Sequence, residues 1–256
     1  MEKFITKKRF KILLILISLM PAYSSLGYPP EQTSNLIVEV LSNPLTKMFV
    51  DYNIISKLLL FLAALIPYFN IKNSEKYTLG YYVLILLFVG FFQNASFTES
   101  YGFSIITGNV TLELIVIITL IYDLLKNKTK FSKDSFHKER IWIIPLMLLA
   151  LLMPCDFVDN TIIPSLSLKM FINDAGFAYC MITPVIIGTY LLFEEKTYVL
   201  TLYIISFIGV IFGFYNMLTW FVFNIKSYWM GILHLPLVII SIYGMLISKK
   251  SINHNI

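Results

Sequence analysis

Hydrophobic residues occur in eight long runs, separated by short segments that carry most of the charged side chains. Most runs have about 20 residues, the length at which an α-helix crosses roughly 30 Å of hydrocarbon. The pattern predicts an all-α fold, a polytopic transmembrane helical bundle of eight spans in a single membrane domain over 1–256. The predicted spans are 10–28, 50–70, 77–97, 102–124, 141–158, 174–193, 198–221 and 228–248.

The first run has two interpretations. Its basic start at 7–11, short apolar core at 12–20 and small residues at 21–25 are typical of a secretory signal peptide. Apolar character nevertheless continues through Leu26 and Tyr28, which favours a retained first span. Cleavage would leave seven spans, with the N-terminus outside the cell.

Composition supports the membrane class. Hydrophobic residues make up 57% of the 256 positions and charged residues 14%, with a mean hydropathy of +0.76. A soluble protein has about 25% charged residues. The net charge of +5 does not indicate nucleic-acid binding, because the basic residues lie between apolar runs and form no contiguous patch. The two cysteines, Cys155 and Cys180, form neither a CxxC pair nor a disulfide framework.

The distribution of basic residues predicts the orientation. If the N-terminus is cytoplasmic and eight spans alternate, 16 of the 20 Lys and Arg residues fall inside, six of them in 125–140. Outside remain Lys47, Lys57, Lys169 and Lys226, whereas acidic residues divide seven to seven, with Glu113 inside a span. This bias follows the positive-inside rule. We therefore expect a plasma-membrane protein with both termini in the cytoplasm and the lipid bilayer as its surroundings.

Two external connections show short amphipathic patterns. Between Pro29 and Lys47, four apolar residues fall at helical spacing: Leu36, Ile37, Val40 and Leu41. Asn43 and Pro44 end this run, which predicts a short helix at the outer interface. The segment 155–173 resembles it, with apolar residues beyond Pro164.

Glu113 is the polar residue placed deepest in a predicted span. It lies eleven residues into a run of about 23, near the bilayer midplane. A carboxyl group there costs at least about 2.5 kcal/mol and indicates a function by default. The alternative is a protonated side chain that only joins neighbouring helices. Asn109 lies one turn towards the outside on the same face, and Lys57 is a weak candidate partner for the carboxyl group.

His234 is the histidine that falls within a span. Pro236, two residues later, frees the carbonyl of Ile232 from its helical hydrogen bond and leaves an acceptor nearby. Three roles stay open for His234: proton carrier, ligand, or buried packing residue.

Further polar side chains fall in the outer halves of their spans, whereas the inner halves are mostly apolar. They are Gln93, Asn94, Tyr179, Thr183 and Asn216. Together with Glu113, Asn109 and His234, they form the predicted binding set. The asymmetry predicts a polar cavity that opens towards the outer face.

Motifs leave the activity open. The sequence contains no HExxH, GxSxG or P-loop motif and no fingerprint that identifies a cofactor, so catalysis is uncertain. With one histidine in the spans, a histidine-only metal site is excluded. The leading hypothesis is binding or transport of a small solute or ion. The alternatives are an intramembrane enzyme for a lipid or lipid-linked substrate, with Glu113 or His234 as the acid–base group, and a subunit that docks another membrane protein.

Overall fold

The computed structural model describes residues 7–69, 71–158 and 161–254, and the fold is 74% helical. In this part of the chain, five helical segments are long and apolar enough to cross a membrane, and six if one sharply bent pair counts as a span. The five are Pro30–Phe69, Ser74–Phe92, Thr107–Lys126, Val199–Phe223 and Ile225–Ile252. Apolar helices of this length indicate a membrane-embedded protein.

Ten α-helices lie in the described ranges. They are α1 (Lys8–Ser18), α2 (Thr33–Ser42), α3 (Asn53–Leu65), α4 (Ser74–Phe92), α5 (Thr107–Lys126), α6 (Ile143–Leu152), α7 (Lys169–Ile172), α8 (Tyr179–Phe193), α9 (Val199–Leu218) and α10 (Tyr228–His254). Short 3₁₀ segments extend several of them, and residues Thr219–Phe223 continue α9 as a π-helix.

Over the residues that the structure describes, seven short strands join the helices in three antiparallel sheets. The strands are β1 (Tyr23–Ser24), β2 (Ala95–Thr98), β3 (Gly102–Ile105), β4 (Lys130–Phe131), β5 (Cys155–Val158), β6 (Thr161–Pro164) and β7 (Glu194–Lys196). One sheet has the order β1-β3-β2, and the others are β4-β7 and β5-β6. We call the end of the molecule that carries β1, β2 and β3 the sheet end. The opposite end carries the two-stranded sheet in which β4 pairs with β7, and we call it the β4–β7 end.

Four predicted span boundaries differ from the helices because strands occupy the ends of the apolar runs. Helix α1 stops at Ser18 before β1, α4 at Phe92 before β2 and α6 at Leu152 before β5, and α5 begins at Thr107 after β3. Strand pairing also satisfies the backbone polar groups of an apolar segment, so hydropathy alone does not reveal where such a helix ends.

The helix predicted within 29–47 is confirmed as α2. Of the four residues on its predicted apolar face, Leu36 and Val40 are fully buried and Ile37 is half-buried, whereas Leu41 is 45% exposed. Helix α2 packs against β2 and β3. The segment 155–173, whose sequence pattern is similar to that of 29–47, forms instead the hairpin β5-β6 followed by the four-residue α7.

Small residues let α9 and α10 approach closely. A methyl group at Gly213 would lie 2.8 Å from Cγ2 of Val238, and one at Gly244 would lie 2.5 Å from Oγ of Ser206. Such small-residue contacts are typical of helices that associate in membranes. The close pair forms one rigid side of the core.

At the β4–β7 end, the basic connection 127–140 folds against α5 and α8. Asp123 accepts hydrogen bonds from the backbone of Thr129 at 2.8 Å, from its hydroxyl at 2.6 Å and from Tyr190 at 3.0 Å. Arg140 donates to the carbonyl of Leu191 at 2.7 Å, which places a positive charge at the C-terminus of α8.

Candidate functional site

Glu113 belongs to a network of two amides and one carboxyl group. Asn94 Nδ2 donates to Glu113 Oε1 at 3.0 Å and to the carbonyl of Gly90 at 3.1 Å. Because this Nδ2 faces two oxygens, Asn94 Oδ1 is the acceptor for Asn109 Nδ2, at 2.9 Å. Glu113 is 2% exposed, and its Oε2 has no partner among the described residues.

The β2-β3 hairpin brings these residues together. It turns the chain so that α5 runs antiparallel to α4, and the amide N–H of Ile106 donates to the carbonyl of Asn94 at 2.9 Å. Gly90 lets the carboxyl group approach α4, because a methyl group there would lie 3.3 Å from Glu113 Oε2. Asn94 and Glu113, 19 residues apart, therefore meet through tertiary structure.

Glu113 lies nearer the start of its helix than the sequence predicts. It is the seventh residue of α5, about 9 Å from the start of that helix. The difference arises because 102–105 forms β3. Lys57 is not its partner: Lys57 Nζ donates to the carbonyl of Met170 at 2.7 Å and to Asn173 Oδ1.

His234 and two residues of the α9 end form the opposite wall. His234 Nδ1 lies 2.7 Å from the carbonyl of Met230. A carbonyl only accepts, so Nδ1 carries the hydrogen, and in the neutral ring Nε2 is an acceptor. The ring stacks on Trp220 at 6.4 Å between centroids. Trp220 Nε1 donates to Asn216 Oδ1 at 3.3 Å, and Asn216 Nδ2 donates to the carbonyl of Phe212 at 2.9 Å.

A sharp bend contributes the third side. The helical segment Lys169–Phe177 meets α8 at 86°. At the bend, the backbone N–H of Tyr179 donates to Gln93 Oε1 at 2.9 Å. Pro184 inside α8 has no N–H, so the carbonyl of Cys180 loses its helical donor. The third side therefore includes a backbone carbonyl that lacks its helical hydrogen bond.

These three sides enclose a cavity of about 600 Å³, within the range of sites for small molecules. Seven of the eight predicted binding residues line it: Gln93, Asn94, Asn109, Glu113, Tyr179, Asn216 and His234. Thr183 is fully buried one turn beyond Tyr179 and is not part of the lining. The end of α1 and the helix α2 also contribute to the lining.

Sequence reasoning did not include Trp220 in the predicted binding set, whereas the structure places it in the cavity wall. It also missed the contact between Ser18 Oγ and Tyr215 Oη, 2.8 Å apart, which fastens α1 to α9 beside the cavity. Asn216 and Trp220 are four residues apart, about one helical turn, and this spacing is the one local signal that could have predicted the hydrogen bond between them.

The arrangement offers hydrogen bonds and one carboxyl group for binding. Within the described ranges, no group of three or more His, Cys, Asp or Glu side chains is placed to hold a metal ion. His234 bonds to a backbone carbonyl, and no described carboxylate bonds to it. Comparison with known protein families, curated proteins and solved structures finds no match for this chain.

Proposed function

We propose that this chain is a multi-pass transporter that binds a small solute or ion in the cavity between Glu113 and His234. The observation that carries this proposal is the unpartnered Oε2 of a Glu113 side chain that is 2% exposed and lines the cavity. A buried polar group without a partner costs about 1–3 kcal/mol. A ligand that supplies the missing bond recovers that free energy on binding.

Strand pairing supports eight passes. The strands β1, β2 and β3 lie at the predicted outer ends of the spans 10–28, 77–97 and 102–124 and pair with one another, and β4 pairs with β7, both in segments predicted inside. No described strand pairs across the two predicted sides. Helices α1 and α6 have 11 and 10 residues, and the chain continues beyond them into β1 and β5. An eight-helix bundle in the plasma membrane, with both termini and the basic segment 125–140 cytoplasmic, fits these pairings.

Interrupted helices favour transport over binding alone. The 86° bend before α8 and the π-helical turn Thr219–Phe223 contribute lining residues, and Pro184 lies one turn beyond Cys180 of the lining. Discontinuous helices are a recurring way to build solute sites in transporters, and π-helical turns are frequent at functional sites.

The two alternative hypotheses have less support. His234 bonds to Met230, whereas an acid–base enzyme would pair it with a carboxylate. The small residues Gly213 and Gly244 are used between α9 and α10 and do not form an exposed docking face.

Thermal unfolding of the purified protein tests the proposal. The panel contains amines, alcohols, carboxylates, amino acids, Na⁺ and K⁺. A solute present at 100 times its Kd stabilises the fold by about 2.7 kcal/mol. We expect stabilisation of the wild type and of Glu75→Gln, a control at the β4–β7 end, and its loss in Glu113→Gln. If no member stabilises the wild type more than Glu113→Gln, the proposal is wrong.

A further inference from the structure

Hydrogen bonds within the protein already occupy part of the polar lining of the cavity. Among the described residues that line the cavity, Glu113 Oε2 and Tyr179 Oη have no hydrogen-bond partner, and Asn109 Oδ1 and His234 Nε2 keep acceptor capacity. Gln93 uses its oxygen for the N–H of Tyr179, so its Nε2 is a free donor. A ligand that fits these groups must therefore bring hydrogen-bond donors.

The charged groups of the lining determine whether a cationic or an anionic ligand fits the cavity. Among the residues that the structure describes, Glu113 is the carboxylic acid of this lining, and no lysine or arginine belongs to it. An anionic ligand would lie near the carboxyl group without a cation to compensate it, which is costly in a buried site. A cationic ligand instead pairs with Glu113.

Aromatic and apolar side chains make up much of the remaining lining. Trp220, Tyr215, Phe212 and Tyr179 all border the cavity, and faces of such rings attract cations. Met153, Met181 and Met230 supply adaptable apolar contacts. Ca²⁺ and Mg²⁺ fit poorly, because they need about six or more oxygen ligands. The lining thus fits a cation with an apolar body.

Building on the proposed function, we propose that the ligand is a small protonated primary or secondary amine with an apolar body. Its N–H group donates to Glu113 Oε2, and its carbon skeleton lies among the aromatic and methionine side chains. Asn94 holds Oε1 and thereby fixes the direction of Oε2. Charge and hydrogen bonding act together at this oxygen, which accounts for a carboxyl group in a mainly apolar wall.

Three probes with the same cyclohexyl body and different head groups test the proposal: cyclohexylmethylamine, cyclohexylmethanol and cyclohexanecarboxylate. Binding is followed by the fluorescence of Trp220, in protein whose two other tryptophans are replaced (Trp142→Phe, Trp229→Phe). None of the probes absorbs where tryptophan does. We expect the amine to bind most tightly and the carboxylate least.

Two variants locate the amine at Glu113. In Glu113→Gln the amide oxygen still accepts from Asn94, but an NH₂ group takes the place of Oε2. We expect the affinity for the amine to fall about 30-fold or more, and the affinity for the alcohol to change far less. Gly90→Ala, which sets a methyl group 3.3 Å from Oε2, should also weaken amine binding without removing the carboxyl group.

If the alcohol or the carboxylate binds as tightly as the amine, the amine proposal is wrong. The proposal that the cavity binds a solute would still stand. Amine affinity that is unchanged in both Glu113→Gln and Gly90→Ala would overturn it too. If none of the three probes binds, the amine proposal is wrong, and the thermal panel decides separately whether the cavity binds any solute.

Discussion

Asn94 Nδ2 donates to Glu113 Oε1 at 3.0 Å, and Oε2 of the same carboxyl group, in a side chain that lines the cavity, has no partner among the described residues. The bond joins the end of α4 to α5 and also positions the amide of Asn109. One oxygen is thus used for the fold, and the other is available to a ligand. The two roles can be separated by mutation.

Asn94→Leu should destabilise the protein, whereas Glu113→Gln should not. Leucine at 94 leaves Glu113 Oε1 and the amide of Asn109 without their partner, at about 1–3 kcal/mol for each buried group. Glutamine at 113 keeps the bond from Asn94, so its unfolding free energy should stay within about 1 kcal/mol of the wild type. Thermal unfolding in detergent measures both. Equal destabilisation by the two changes would contradict a structural role confined to Oε1.

Asp123→Ala should be among the most destabilising single changes at the β4–β7 end. The side chain is fully buried and accepts from Thr129 and Tyr190. Removing it leaves those donors unpaired and should cost about 3 kcal/mol or more. The control is Asp134→Ala in the same connection, which should cost far less. Equal unfolding free energies for Asp123→Ala and Asp134→Ala would contradict the structural role of Asp123.

Lys57→Met should loosen the segment Lys169–Phe177 without unfolding the helices. Lys57 is 5% exposed, and its Nζ holds the carbonyl of Met170 and the side chain of Asn173. Hydrogen exchange of the amides in 169–177 should therefore become faster. Lys169→Met removes a mostly exposed pair with Asp156 and should change exchange little, since such surface pairs contribute little stability. Unchanged exchange in Lys57→Met would show that this lysine is not a tether.

Sequence reasoning found the membrane class, the helix within 29–47 and seven of the residues that line the cavity. These rest on local signals, namely apolar length, helical spacing and polar residues where lipid would exclude them. The strands at 95–98 and 102–105 were missed because their composition also suits a helix end. The Asn94–Glu113 bond was missed because nothing in a spacing of 19 residues indicates contact. Trp220 was missed as a lining residue because an aromatic residue near a span end usually marks the interface.

The orientation can be tested by labelling introduced cysteines, in protein whose Cys155 and Cys180 are replaced by alanine. We expect a membrane-impermeant maleimide added to intact cells to label Ser42→Cys in α2 and to leave Ser132→Cys and Ser251→Cys unlabelled. The reason is the concentration of basic residues at 125–140. Ready labelling of Ser132→Cys or Ser251→Cys from outside would overturn the whole orientation.

The most direct test of the cavity as the ligand site is protection of Cys180 from alkylation. Cys180 lines the cavity, whereas Cys155 is buried in β5 outside it, so Cys155→Ala and Cys180→Ala each leave one native thiol as a matched pair. The rate of reaction with N-ethylmaleimide is measured with and without saturating cyclohexylmethylamine. We expect the amine to slow alkylation of Cys180 and to leave that of Cys155 unchanged, with the protection lost in Glu113→Gln. If the amine binds the protein and yet Cys180 reacts at the same rate with and without it, the ligand does not occupy this cavity.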